Sequence, residues 1–232
     1  GSLASLFSRG ANSDHMTFLL DGRRLNGGFS GYYNLGQLSL DGLSAVEVLR
    51  GPSSILYGAE GIGGAVMLRS GEAPASGVST SLGLSGGSFG TLGARLQNGF
   101  REGGWSGSFG ASATHTDNDA PNAVFRNQAG SLRLARRING QWTVDLVGLV
   151  HRSELGLPGN AKDFGYPSLT NYQDTEQFLL SPGFVGSGDG WTARGFYSRG
   201  EDELESLAWT RNHFRVETDQ VDAQIEREIG EA

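Results

Sequence analysis

Hydrophobic and polar residues alternate with a period of two along the chain from residue 78 onward. Between 78 and 85 the even positions hold Val78, Thr80, Leu82 and Leu84, whereas the odd positions hold only Ser and Gly. Seven further segments show this alternation with varying regularity: 92–101, 105–114, 127–137, 142–152, 175–185, 191–200 and 215–227. Because successive side chains of a β-strand point to opposite faces, the pattern predicts eight strands with one apolar and one polar face each.

The connections between these segments alternate in length. The three tight turns are 102–104, 138–140 and 186–190. The three long connections are 118–126, 153–174 and 202–213. Only the first connection, 86–90, departs from this rule. An antiparallel meander with short turns at one rim and long loops at the other is typical of outer-membrane β-barrels, so the sequence favours that architecture.

Tryptophan positions and the polar face agree with a membrane barrel. Trp105, Trp142 and Trp191 each begin a segment directly after a tight turn, which predicts an aromatic ring at one membrane interface. The polar face is mostly Ser, Gly, Thr, Gln and Arg, which suits a lumen filled with water or protein. A soluble β-sandwich or lipocalin-like barrel also shows alternation and remains an alternative.

The first part of the chain mixes short apolar runs with glycine-rich turns. We predict strands at 16–21, 44–50 and 65–69, and at most a short helical turn at 53–58. The glycine-rich run 58–64 could be mistaken for a phosphate-binding loop. It lacks the following Lys-Ser or Lys-Thr pair and leads into a strand, so we exclude that interpretation.

The two parts meet near Pro74. Residues 71–77 are mostly Gly, Ala, Ser and Pro, a composition typical of a linker. We therefore predict one domain over 1–73 and a second over 74–232.

Composition and charge exclude several classes of protein. Gly is high at 38 of 232 residues but follows no collagen period, and charged residues, at 19%, are too few for a disordered chain. The net charge of −7 argues against a nucleic-acid partner. No apolar stretch is long enough for a transmembrane helix, and the absence of Cys excludes disulfides and thiolate metal sites.

Catalytic and metal-binding signatures are also missing from the sequence. The four histidines, His15, His115, His151 and His213, have no metal-ligand spacing, and residues 117–119 form only part of a calcium loop. No nucleophile elbow of the hydrolase type is predicted. We therefore predict no catalytic residues, no metal site and no cofactor, and expect that the protein is not an enzyme.

Four motifs in the first part carry a specific resemblance. They are Phe7-Ser8-Arg9-Gly10, residues 18–26 (Phe-Leu-Leu-Asp-Gly-Arg-Arg-Leu-Asn), residues 46–52 (Val-Glu-Val-Leu-Arg-Gly-Pro), and Leu56-Tyr57-Gly58 followed by Ile62-Gly63-Gly64-Ala65-Val66. In order and spacing they resemble the plug domain of TonB-dependent outer-membrane receptors. Residues 88–91 resemble the loop after the family's first barrel strand.

The resemblance implies a mainly β fold. A small α+β plug over 1–73 would be followed by the first eight strands of an antiparallel transmembrane barrel, of about twenty-two in the family. An eight-stranded closed barrel could not hold such a plug, because its interior accommodates only side chains. We therefore expect the chain to be a fragment of a larger receptor in the outer membrane of a Gram-negative bacterium.

The resemblance also implies roles for particular residues. Arg9 and Arg50 match arginines that, in the family, join a charged cluster with barrel carboxylates, which we expect mostly beyond residue 232. The alternative is that both are solvated charges at strand ends. Turn positions of the plug are Gly10, Asp21, Gly22, Gly51, Pro52, Gly58, Gly63 and Gly64. We expect Asp21 and Glu47 to pair locally.

Ligand contacts are predicted in the segment 26–34, which in the family rises toward the outside. Its candidates are Asn26, Phe29, Tyr32 and Tyr33, since aromatic rings with polar tips suit a large hydrated ligand. Packing against the barrel wall is the equal alternative. The resemblance implies active import of a bulky scarce nutrient, with TonB, acting through a segment missing here, as energy-coupling partner and outer-membrane lipid around the barrel.

A ferric siderophore is the commonest ligand class of this family, and cobalamin is the second candidate because residues 9–12 and 25–26 resemble the cobalamin branch. The alternative from another class is a non-transporting β-rich binding module or a small structural barrel.

Overall fold

The structure is a computed structural model that describes residues 6, 15–25, 33, 35, 38–51, 62–158, 168–208 and 210–228. Within these ranges the chain forms twelve strands in two sheets, one of four strands and one of eight. We call the four-stranded sheet the inner sheet and the eight-stranded sheet the wall. No helix among the described residues is long and apolar enough to cross a membrane.

The inner sheet contains the strands predicted from the first part of the chain. Its strands are β1 (Met16–Leu20), β2 (Arg23–Arg24), β3 (Leu43–Arg50) and β4 (Gly64–Ser70), in the spatial order β2-β1-β4-β3. β1 and β4 are parallel, and the other neighbours are antiparallel. β1 is buried throughout because it lies between two strands and is covered on both faces. β2 was not predicted, because two residues carry no detectable period.

The wall confirms the eight predicted strands of the second part. They are β5 (Gly77–Gly86), β6 (Leu92–Glu102), β7 (Trp105–Thr116), β8 (Phe125–Arg137), β9 (Trp142–Gly156), β10 (Tyr172–Gly188), β11 (Trp191–Leu207) and β12 (Arg211–Arg227). Each strand pairs with the next in antiparallel order. A single continuous sheet curved around the inner sheet is a portion of a barrel, not a sandwich of two packed sheets.

The two faces of the wall differ in chemistry. The outward face carries an apolar band, with Val144, Val150, Leu180 and Phe184 each at least 40% exposed. The inward face carries small and polar residues over β5–β8, as the alternation predicts. Along β9 the band runs from Trp142 to Val150, nine residues by number, which matches the length of a tilted transmembrane strand.

Tryptophans lie together at the rim with the tight turns. The rings of Trp142 and Trp191 are 5.6 Å apart, and Arg136 lies over the ring of Trp105 at 4.7 Å. These contacts place aromatic residues along one edge of the apolar band, as expected for a membrane interface.

The last connection differs from the prediction. We expected a long loop over 202–213, but β11 and β12 continue into this segment and only residues 208–210 connect them. Beyond the apolar band, the outward positions of this hairpin hold charged residues that pair across the strands, such as Arg215 with Glu201 at 2.8 Å. Polar residues on both faces hide the period of two, so the sequence suggests a loop where a strand continues.

Candidate functional site

Arg23 joins the inner sheet to the wall. Its Nη2 donates to Asp145 Oδ2 on β9 at 2.9 Å, and its Nε donates to Ser181 Oγ on β10 at 3.1 Å. The Arg23 and Asp145 side chains are only 7% and 8% exposed. The ring of Phe196 on β11 lies 4.8 Å from the guanidinium carbon. Both charges are therefore paired out of water, an arrangement that is strongly destabilised when one partner is removed.

Asp21 fixes the turn that presents Arg23. It adopts a left-handed conformation with φ of 48°, and Gly22 follows with φ of 84°. The Asp21 carboxylate accepts hydrogen bonds from the Ser70 backbone N–H at 3.1 Å and from the Ser70 hydroxyl at 2.5 Å. The Asp21 Oδ1 also lies 3.8 Å from Arg133 Nη1 on β8. The turn is thus tied both to the end of β4 and to the wall.

The hydrophobic core of the inner sheet continues into the wall. Inner-sheet residues Phe18, Leu20 and Leu68 form one buried cluster with Val147 on β9 and Leu179 on β10. Val147 is fully buried and Leu179 is 4% exposed. The wall strands β9 and β10 therefore supply part of the core that holds the inner sheet. We call this contact, together with the Arg23–Asp145 pair, the anchor.

The inner sheet meets the first wall strands, β5–β7, through a different kind of contact. Here a cleft of about 290 Å³ separates the end of the inner sheet from the wall, and most of its lining is Ser, Gly or amide side chains. Six of the lining residues are Ser44, Gly71, Ser79, Ser81, Gln97 and Ser108. Nearby, the hydroxyls of Ser39 and Ser112 are 2.9 Å apart. A Cβ at Gly110 would lie 2.5 Å from the Gly42 Cα, so the backbones touch at two glycines.

Tyr33 is the one predicted ligand contact within the described residues. It is buried, its ring stacks on Phe18 at 5.1 Å, and its hydroxyl donates to Gln177 Oε1 on β10 at 3.4 Å. Burial, and secondarily the charge of Asp202, raises the pKa of the Tyr33 phenol above its usual value. This geometry matches the packing alternative, and a role in ligand contact stays a prediction. Asn26, Phe29 and Tyr32 lie outside the described residues.

The predicted charged cluster is placed only in part. Arg50 ends β3 with an exposed side chain, and Arg9 lies outside the described residues. Asp21 and Glu47 both have partners within reach, since Glu47 Oε1 lies 2.8 Å from Arg69 Nη2. The cluster of Arg9, Arg50 and barrel carboxylates stays a prediction.

Of the predicted turn positions, Asp21, Gly22, Gly51 and Gly64 have positive φ. Gly64 is the most constrained, because a Cβ there would lie 2.2 Å from the Leu49 carbonyl oxygen. The Gly63 N–H donates to the His15 carbonyl at 2.8 Å. Gly10, Pro52 and Gly58 lie outside the described residues.

Sequence reasoning missed the Arg23–Asp145 pair. Arg23 was noted only as part of a motif, and its partner is 122 residues away. One signal was available: Asp145 falls on the inward face of a wall strand, between Thr143 and Val147. A carboxylate at such a position calls for a buried cationic partner.

The chain is similar to known proteins in sequence and in structure. The family model of the TonB-dependent Receptor Plug Domain matches residues 1–65. The Vitamin B12 transporter BtuB of Photobacterium profundum is 26% identical over 163 residues, covering 66% of this chain and 27% of that protein. The chain therefore spans about a quarter of the length of this curated relative.

Solved structures show the same fold. The ferric yersiniabactin uptake receptor FyuA from Yersinia pestis has a TM-score of 0.82 at 16% identity, covering 99% of this chain and 40% of that one. The unliganded ferric citrate transporter FecA has a TM-score of 0.74 at 17% identity, covering 94% of this chain and 37% of that one. The inner sheet is thus the plug fold, and the wall is an incomplete transmembrane barrel. Residues 1–65 match the plug domain of TonB-dependent receptors, and the chain as a whole is similar to these receptors of the Gram-negative outer membrane in sequence and fold.

Proposed function

We propose that the receptor containing this chain actively imports a bulky, scarce nutrient across the outer membrane. The observation that carries the proposal is the inner sheet held against the lumen side of the wall by a buried ion pair and a shared apolar core. A plug attached in this way blocks the lumen at rest. Non-covalent contacts allow it to be rearranged when work is supplied.

TonB is the proposed source of that work, as the similarity to TonB-dependent receptors implies. No chemical step on the nutrient is part of this function, and we propose neither catalysis nor a resident cofactor. Arg9 and Arg50 are proposed to contribute further plug–barrel pairs, with carboxylates of other barrel strands. Asn26, Phe29, Tyr32 and Tyr33 are proposed to face the ligand side of the plug.

Two ligand classes have separate support. Ferric siderophores are favoured by structural relatives described as ferric yersiniabactin and siderophore receptors. Cobalamin is favoured by the sequence relative described as a vitamin B12 transporter. The cobalamin proposal draws on sequence as well as fold, since the vitamin B12 transporter is 26% identical over 163 residues. The siderophore proposal draws on fold alone, because those relatives share 17% identity or less with this chain.

Uptake by the complete receptor tests the proposal. The receptor would be produced in a Gram-negative host lacking its own cobalamin and siderophore receptors, with and without TonB. We expect TonB-dependent accumulation of either radiolabelled cobalamin or one of a panel of ⁵⁵Fe-siderophores. Binding without TonB-dependent accumulation of any of these would instead indicate a non-transporting binding protein.

A further inference from the structure

We propose that the nutrient passes between the inner sheet and wall strands β5–β7, while the anchor on β9 and β10 stays closed. This inference rests on the proposed function, because it locates the path of the same import. It follows from the contrast between the two contacts that hold the inner sheet.

The anchor side is dry and charged. Phe18 and Leu20 share a buried cluster with Val147 and Leu179, so opening here would expose apolar surface to water. It would also separate Arg23 from Asp145, both less than a tenth exposed. Opening must therefore break the charge-assisted hydrogen bond to Asp145 and the bond to Ser181 together, which makes this the harder side to open.

The β5–β7 side is already partly open, and among the described residues no buried ion pair joins it to the inner sheet. The cleft there has a volume of about 290 Å³ and is lined mainly by hydroxyl, amide and glycine groups. The Ser39–Ser112 contact beside it is a single neutral hydrogen bond of 2.9 Å. A neutral hydrogen bond is weaker than the charge-assisted bond between Arg23 and Asp145, so this contact separates first under load.

The lining of the cleft also suits passage of a hydrated solute. Serine hydroxyls and the Gln97 amide both donate and accept hydrogen bonds, so they can replace water around many polar groups, and Glu72 is the one charged residue among the described residues of the lining. The contact of Gly42 with Gly110 is between backbones, and the side chain that lies closest to it among the described residues ends in the small Ser131 hydroxyl. A surface of this kind can slide and binds no solute tightly enough to retain it.

A disulfide across the β5–β7 contact tests the path directly. Because the Ser39 and Ser112 oxygens are 2.9 Å apart, Ser39→Cys with Ser112→Cys brings two sulfurs within bonding reach. A second lock is Gly71→Cys with Ser108→Cys, since a Cβ at Gly71 would lie 3.3 Å from the Ser108 Cβ. The experiment uses the complete receptor in a background without other cysteines, with the nutrient that the unmodified receptor accumulates.

We expect oxidation of the Ser39–Ser112 lock to abolish uptake, and reduction to restore it, with ligand binding unchanged in both states. The control is Ser187→Cys with Thr192→Cys, which joins two neighbouring wall strands without touching the inner sheet. Uptake by this control should survive oxidation. Normal uptake through both oxidised locks would overturn the proposal.

Labelling of single cysteines then distinguishes opening on this side from release of the whole plug. Ser108→Cys reports on the cleft, and Ser198→Cys, at a position 3% exposed, reports on the anchor side. We expect TonB-dependent transport to increase labelling of Ser108→Cys by a membrane-impermeant maleimide and to leave Ser198→Cys protected. Labelling of Ser198→Cys would contradict a closed anchor. If the unmodified receptor accumulates nothing, the proposed function fails and this inference with it.

Discussion

At the scale of single residues, the environment of Arg23 gives the first prediction. Arg23→Ala leaves the Asp145 carboxylate buried at 8% exposure without its cation, and we expect a loss of about 3–5 kcal/mol in the free energy of unfolding. Urea titration of the complete receptor measures this loss. The matched control is Arg69→Ala, which breaks the exposed pair with Glu47 and should cost about 0–1 kcal/mol. Equal losses in the two variants would show that the Arg23 site is not dry.

Gly64 gives the second prediction at this scale. Gly64→Ala places a methyl group 2.2 Å from the Leu49 carbonyl oxygen at a φ of 138°, so β3 and β4 must move apart. We expect a destabilisation of about 1–3 kcal/mol, measured as faster proteolysis of the plug in the folded receptor. Gly140→Ala is the control, because nothing lies within 4 Å of a Cβ there. A Gly64→Ala receptor as resistant as this control would contradict the prediction.

Residues of the site could be predicted only where a local rule determines them. Gly22 and Gly64 occupy positive φ, as a glycine-rich turn predicts. The inward position of Asp145 indicates that it needs a cation but not that the cation is Arg23, since the two residues are far apart in sequence and meet only when the wall closes around the inner sheet. Tyr33 shows a further limit of prediction from sequence. The sequence of a loop does not indicate whether its aromatic ring faces a ligand or, as here, packs on Phe18.

At the scale of strands, the apolar band of the wall predicts a dependence on depth. Leu146 lies on the outward face near the middle of the band, and Gln128 lies outward at its charged edge. Leu146→Arg should destabilise the receptor in lipid bilayers by about 2–4 kcal/mol, and Gln128→Arg by about 0–1 kcal/mol. Urea unfolding in liposomes gives both values. The reverse order would mean that the membrane lies at another height on the wall.

The wall strands were predictable because each alternates over its membrane-spanning part. That alternation follows from contact with lipid on one face and the lumen on the other, so it ends where the lipid ends. Past the band, β11 and β12 are held by ion pairs such as Arg215–Glu201 and by backbone hydrogen bonds, which carry no hydropathy signal. The sequence therefore indicated the number of strands correctly and the length of the last hairpin wrongly.

At the scale of the whole molecule, the inner sheet and the wall have different sources of stability. The wall is a continuous ladder of backbone hydrogen bonds from β5 to β12. The inner sheet has four strands and completes its core with Val147 and Leu179 of the wall. The plug therefore depends on the wall more than the wall depends on the plug, and such an order suits the gate that we propose.

Two neighbouring leucines on β10 separate these contributions. Leu179 points inward and is 4% exposed in the core of the inner sheet, whereas Leu180 points outward and is 40% exposed in the apolar band. Leu179→Ala should remove about 2–4 kcal/mol of core packing from the plug, because a cavity remains between the sheet and the wall. In planar bilayers we expect channel currents through the complete receptor at lower urea than in the unmodified protein. The far-ultraviolet circular dichroism of the barrel should persist at that urea concentration.

Leu180→Ala, which does not touch the plug, should leave the threshold for currents unchanged. Loss of the barrel signal together with the first currents would show that plug and wall unfold as one unit.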